Sequence, residues 1–226
     1  MRSFHQYNSK KMIETVLPIL KSNQIISLIS DAGTPTISDP GLDLIRACIE
    51  NSIKVYSIPG PSAVIASLVS SGISTDKFSF LGFAPRGNKE KKIFREKIIS
   101  AQETLIFFES PKRILKTLND LQIFLEGRRV SLVRELTKKN EEVINGTITN
   151  VLKKLEEKEK VLGEITVVIS ACSSKGLPEI SDYQILDSVK DLKVDNLSIS
   201  TMSKLIAEKY KVSKRRVYQL IIGNKR

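Results

Sequence analysis

Residues 24–50 read QIISLISDAGTPTISDPGLDLIRACIE, and the fold class follows from them. Residues 24–30 are a short β-rich apolar run, the pattern of a buried strand. A loop of small residues with Gly33, Pro35 and Gly41 follows. Inside it, Asp39-Pro40 reads as a helix N-cap and a proline at the first helical position, predicting a helix to Glu50. Upstream, Met12, Ile13, Val16, Leu17 and Leu20 share one face and predict a helix over Ser9–Lys21. Downstream, residues 53–58 predict another strand, Pro59-Gly60-Pro61 a turn, and Ser62 the cap of a helix to Ser71. Helix, strand, helix, strand, helix at this spacing predicts parallel strands in an α/β domain.

The following half is similar but less regular. Strands are predicted at residues 78–83, 104–108, 129–134 and 164–170. Helices are predicted at 88–100, from Ser110-Pro111 to 125, and at 150–159. Beyond Cys172 the character changes: residues 173–181, with Gly176 and Pro178, read as a linker. Short helices follow around 185–193, 202–210 and 214–222, with no strand signal. The expected division is an α/β domain at 1–76, a second at 77–172, and a helical extension at 173–226.

The chain has 226 residues, 41% of them apolar and 27% charged, so it is neither disordered nor built around membrane spans. It carries no signal-peptide core at its start. Two cysteines without close spacing and a single histidine exclude a disulfide framework and a zinc site and point to the cytoplasm. No metal is expected. The net charge of +11 sits in two places. Residues 200–226 hold eight basic residues against Glu208, and residues 86–97 hold six against Glu90 and Glu96. Basic segments on a neutral body are the footprint of a polyphosphate partner, or else solvated helix faces.

In an open sheet, ligands bind beyond the carboxyl ends of strands. The loops there are residues 30–41, with Asp31 and Thr34; Pro59-Gly60-Pro61-Ser62-Ala63; and Glu109-Ser110-Pro111-Lys112-Arg113. Taken singly, each also reads as an ordinary tight turn or helix start. Arg134-Glu135-Leu136-Thr137-Lys138-Lys139 gathers charges where a strand ends; its plain reading is a surface ion-pair cluster. Neither a G-x-G-x-x-G fingerprint nor a phosphate loop is present.

Taken in order, SDAGTPTISDPG, PGPSA, GFAPR with its lysine-rich helix, FFES-x-x-R, RELTK and GEITVVI closely resemble one family. It is the tetrapyrrole (corrin/porphyrin) methylase superfamily of S-adenosylmethionine-dependent methyltransferases. The likeness runs from about Phe4 to the C-terminus. It is strongest to the branch that 2′-O-methylates a cytidine of bacterial small-subunit ribosomal RNA. The resemblance implies two α/β domains with S-adenosylmethionine in the cleft between them, a homodimer, and ribosomal RNA or the small ribosomal subunit as partner. It places Asp31, Ala32, Gly33, Thr34, Ser62 and Ala63 at the cofactor from the first domain, and Phe108, Arg134-Glu135 and Gly163 from the second. For the transfer, Glu109 and Glu135 are candidates as base or orienting acceptor, while Lys112, Arg113 and Lys138 are candidates to hold a phosphate or lower the hydroxyl pKa. Glu135 and Arg113 carry the most weight.

The likeness breaks at the start. Members carry an upstream strand–loop–helix unit with a P-I-G-N-L loop and an E-D-T-R segment, and neither occurs here. The expectation is a sequence lacking its first unit and one wall of the cleft. Two alternatives stand beside the methylase reading. SKLIAEKYKVSKRRVYQLI (203–221) has the shape of a helix-turn-helix, which alone suggests a DNA-binding regulator. A methylase of a small tetrapyrrole is the other, with less need of the basic charge.

Overall fold

In the computed structural model, five strands form one sheet in the order β1-β2-β5-β3-β4. They are β1 (Phe78–Phe83), β2 (Thr104–Glu109), β3 (Arg129–Arg134), β4 (Glu142–Thr147) and β5 (Ile165–Ile169). The structure describes residues 1–172, 185, 186, 189, 198–210, 212 and 214–223. The chain divides into two compact units, Met1–Cys172 and Ser173–Arg226.

In the first unit, α1 (Ser9–Lys21) packs on α2 (Leu42–Glu50) through Val16, Leu44 and Cys48. The helix α3 (Ala63–Ser71) lies on the sheet face formed by Ile106, Phe108 and Val168. Helices α4 (Asn88–Ser100), α5 (Ile114–Leu121) and α6 (Ile148–Glu156) cover the other face, where Leu105, Phe107, Leu132, Val167 and Ile169 point. Alternation along β2 splits its apolar residues between two cores, so every side chain from Thr104 to Phe107 is buried. The buried Arg128 ties the sheet to α4. Its guanidinium donates to Ile98 O at 2.6 Å and, from Nε, to Ser170 O at 2.8 Å. Burial lowers its pKa, but these carbonyls give its donors partners.

The α/β class, the helices Ser9–Lys21, Ala63–Ser71 and Asn88–Ser100, and the strands Phe78–Phe83 and Arg129–Arg134 stand as read. Ser62 caps α3 through its Oγ, which accepts from Ile65 N at 3.4 Å. Several expectations need correction. Residues 24–30 and 53–58 are not strands; they carry no regular element and pair with nothing in the sheet. Ile25, Ile29, Tyr56 and Ile58 are consequently exposed, Ile25 by 94%. A strand exists only through a neighbour that takes its backbone hydrogen bonds, and neither segment has one among the described residues. Before Phe78 the assigned elements are therefore the three helices α1, α2 and α3, and the strands of the α/β fold all lie after them among the described residues. The pairing is also not uniformly parallel: only β1 and β2 are parallel, and the other three pairs are antiparallel.

Helix α2 starts at Leu42, past the expected Asp39-Pro40, because Gly41 stands at φ +135° and breaks the helical path. Residues 110–113 are a turn, and α5 proper runs only from Ile114 to Leu121 before a 3₁₀ turn at Gln122–Phe124. Helix α6 is Ile148–Glu156, opened by Thr147 whose Oγ1 accepts from Asn150 N at 3.3 Å. Strand β4, Glu142–Thr147, has no counterpart among the predicted strands.

In the second unit, α7 (Ile199–Tyr210) and α8 (Lys214–Gly223) close a core of Ile185, Val189, Met202, Ile206, Val217 and Ile221. The expected linker at 173–181 and most of the helix at 185–193 lie outside the described residues.

Candidate active site at one end of the sheet

Strand direction gathers the candidate residues. Strand β5 runs opposite to β2 and β3, and its first residue, Ile165, faces Glu109 on one side and Arg134 on the other. The last residues of β2 and β3 and the approach to β5 therefore share one end of the sheet. There the loops after β1, β2 and β3 and residues 162–164 meet. Helix α3 points its N-terminus the same way: Thr104 Oγ1, at the start of β2, donates to Ser74 O just past the helix's far end at 2.7 Å. Thr34 Oγ1 donates to Pro61 O at 2.8 Å, joining the loop of residues 30–41 to the one before α3.

Two charged groups occupy this end, and they differ. Glu109 is buried and saturated. Its Oε1 accepts from Ser110 N at 2.7 Å, and its Oε2 accepts from Thr117 Oγ1 at 2.6 Å with Arg113 Nη2 at 3.2 Å. Arg113 Nη2 also donates to Ala84 O at 3.0 Å and Pro85 O at 2.7 Å, fastening the loop after β1. Both residues hold the loops in place, with no carboxylate oxygen left over.

Glu135 is arranged differently. It stands at φ +52°, an uncommon conformation for a glutamate. Its amide donates to Glu164 O at 3.0 Å, while its Oε1 accepts from Glu164 N at 2.9 Å and Lys138 Nζ at 3.0 Å. Oε2 makes no hydrogen bond among the described residues, and the side chain keeps 18% exposure. The carboxylate lies across Gly163, where a Cβ would strike its Cγ, Cδ and Oε1. Lys138 also meets Glu164 Oε2 at 3.2 Å. Beside them, Glu142 is shared by Arg134 Nε at 3.0 Å and Lys158 Nζ at 2.8 Å.

The Glu164 amide, with Lys138, holds the Glu135 carboxyl below its ordinary range, and Glu135 with Glu164 raises Lys138 in return. Burial pushes Glu142 up, but Lys158 and Arg134 outweigh it and the net direction is down. A depressed carboxyl contributes stability above its ordinary pKa of about 4.3, lost as pH falls through the folded value; a raised lysine contributes below about 10.4, lost as pH rises through its own. The cluster is thus fully stabilising across neutral pH. A Glu142→Gln variant is expected to melt below the parent at pH 7. The gap should close as pH falls below about 4, and a gap independent of pH in thermal scans would count against the cluster.

Asp31, Ala32 and Thr34 are exposed, and Asp31 has no hydrogen bond or ion pair among the described residues. Gly33 stands at φ +67° with open space where a side chain would sit. An open glycine cradle beside an unengaged carboxylate fits a small ligand bearing an ammonium group, as S-adenosylmethionine does. Ser62 and Ala63 sit at the start of α3, and Phe108 packs edge-on against Phe80 and Phe83. Glu164, Glu142 and Lys158 are outside the residues the sequence pointed to, since Glu142 joins Arg134 and Lys158 only through the pairing of β4 with β3. The signal available was Val143-Ile144 between charged ends, followed by Asn-Gly and the Thr147 cap.

On α4, Arg86, Lys89, Lys92 and Lys97 are exposed at or beside the helix, whereas Lys91 reaches Asp120 at 3.9 Å and Arg95 lies over the Phe124 ring at 5.4 Å. Among the described residues, no helix is long and apolar enough to cross a membrane, and no group of three or more His, Cys, Asp or Glu is placed to hold a metal ion.

The model of the tetrapyrrole (corrin/porphyrin) methylases matches residues 2–152. The chain is 38% identical over 219 residues to the ribosomal RNA small subunit methyltransferase I of Synechocystis sp., covering 96% of this chain and 78% of that protein. The proteins of the same name from Thermotoga maritima and Haemophilus influenzae are 41% and 38% identical, over 74% and 96% of this chain and 75% and 77% of theirs. Among solved structures, the methyltransferase CobJ and diphthine synthase share the fold, each with a TM-score of 0.53 and 15% identity. They cover 71% and 73% of this chain and 70% and 65% of their own. With the matched residues spanning both halves of the first unit, the chain belongs to the tetrapyrrole methylase family.

Proposed function

We propose that the protein transfers a methyl group from S-adenosylmethionine to the ribose 2′-oxygen of a cytidine in small-subunit ribosomal RNA, in the cytoplasm and as a homodimer. The observation that carries this is the free Oε2 of Glu135, held at the sheet end in a chain so similar to enzymes named for ribosomal RNA methylation. The cleft lies between residues 1–76 and 77–172, with Asp31, Ala32, Gly33, Thr34, Ser62 and Ala63 on one side and Phe108 and Gly163 on the other. Asp31 takes the ammonium end of the cofactor, and Gly33 lets the backbone approach it. Bound there, the cofactor supplies an electrophilic methyl group on a sulfonium.

A ribose hydroxyl is a weak nucleophile, so the chain's task is alignment and help with the proton. Glu135 offers Oε2 to that hydroxyl, while Lys138, kept charged by its two carboxylates, faces the neighbouring phosphate with Lys112. Glu109 and Arg113 are positioning residues. The exposed lysines of α4 contact the RNA backbone, so binding weakens steeply with salt. The family match lies in the methylase body rather than the tail, which disfavours the regulator reading, and a small tetrapyrrole has no use for the basic segments.

The test uses purified protein, labelled S-adenosylmethionine and small ribosomal subunits lacking the modification. Glu135→Gln is expected to slow methylation about 100-fold, the scale of a lost proton acceptor, while cofactor affinity by calorimetry stays within a few-fold. Methylation at the parent rate would remove Glu135 from the reaction.

A further inference from the structure

Helix α8 turns one side to its own core, and its other side is exposed among the described residues. Val217 and Ile221 are buried in the cluster with Met202 and Ile206. Lys214, Arg215, Tyr218, Gln219 and Ile222 are exposed. At about 100° per residue these five positions fill a single arc of about 140°. No acidic residue interrupts it: the helix reads KRRVYQLIIG. The two cations stand at its start, and Lys214 Nζ is steadied by Ser200 Oγ at 3.1 Å. One turn on, the Tyr218 ring is 42% exposed with the Gln219 amide beside it.

We propose that this face binds single-stranded RNA, with Lys214 and Arg215 on successive phosphates and an unpaired base stacked on Tyr218. The inference rests on the ribosomal RNA reading above and names the surface that would hold the substrate away from the reacting nucleotide. Two cations and no acid match a polyanion in charge. An aromatic ring one turn further on suits a splayed base, which every nucleotide of a single strand can offer. A duplex presents no free base face to Tyr218, so the ring separates the two kinds of nucleic acid.

The test is fluorescence anisotropy of the full chain with a labelled twelve-nucleotide single-stranded RNA of mixed sequence, beside the same sequence as duplex RNA and duplex DNA. Lys214→Ala with Arg215→Ala is expected to weaken binding to the single strand and to flatten its logarithmic salt slope by about 1.4, at roughly 0.7 per phosphate contact. Tyr218→Ala is expected to weaken it about 5- to 100-fold, and Tyr218→Phe to restore it, since stacking needs the ring and not the hydroxyl. All three residues are exposed rather than part of the core, so melting temperatures should match the parent. Unchanged affinity in Tyr218→Ala, failure of Tyr218→Phe to restore it, or tighter binding of duplex DNA than of the single strand would each overturn the proposal. Methylation of the small subunit, measured in parallel, separates the two readings. A parent that methylates but shows no Tyr218 effect loses only the tail surface; one that binds through Tyr218 but never methylates loses only the catalytic reading.

Discussion

Gly163→Ala is expected to melt about 6–12 °C below the parent and to bind S-adenosylmethionine more weakly. Two causes act together. At φ +91° an alanine pays the strain of a left-handed backbone, and its methyl group would occupy the space of the Glu135 side chain. Strain and overpacking each cost about 1–3 kcal/mol. A sum near 3 kcal/mol corresponds to about 2–4 °C per kcal/mol in a unit of this size. The only relief is for Glu135 to swing away, which breaks its bonds to Glu164 N and Lys138 and opens the loop after β3. Differential scanning calorimetry with a cofactor titration reads both effects. A normal melt would mean the two loops are not locked through Glu135.

Arg113→Ala is the second large effect. It strips the cation from a carboxylate whose side chain has no exposure, and it frees the carbonyls of Ala84 and Pro85. Breaking a buried pair from one side costs about 3–5 kcal/mol, chiefly because the remaining charge is stranded. Glu109→Leu combined with Arg113→Met should recover much of that loss, since no charge is then left buried. A double-mutant cycle in urea reads the coupling. Methylation should fall in both variants even where stability returns, because Ala84 and Pro85 lose their anchor either way. If the double variant is no more stable than Arg113→Ala, the cost lies in the loop carbonyls and not in the stranded carboxylate.

Local chemistry was legible where it was self-contained. The α1 stripe, the Ser62 cap and the apolar runs of β1 and β3 fix their elements through near neighbours, and their bounds were read residue for residue. What failed was non-local. The runs at 24–30 and 53–58 have strand composition, but composition supplies no hydrogen-bonding neighbour. Pairing direction was misjudged because β5, which turns the sheet antiparallel, enters between β2 and β3 from far along the chain. The split between Glu109 and Glu135 was equally hidden. Glu109 ends one buried strand and Glu135 follows another, and only the positions of Thr117, Arg113 and Gly163 show that one carboxylate is saturated and the other keeps an oxygen.

Seven residues in that non-local category carry a consequence for handling. QIISLIS at 24–30 holds no charge and no proline, and it lies outside the sheet with Ile25 and Ile29 exposed. An uncharged β-forming segment outside any sheet is a template for another copy of itself, stacking in register as fibril cores do. The net charge of +11 sits elsewhere in the chain and repels copies only through the solvent. Salt screens that repulsion while leaving the apolar edge intact. Raising the ionic strength is therefore expected to increase self-association through these segments, read by light scattering across a salt series.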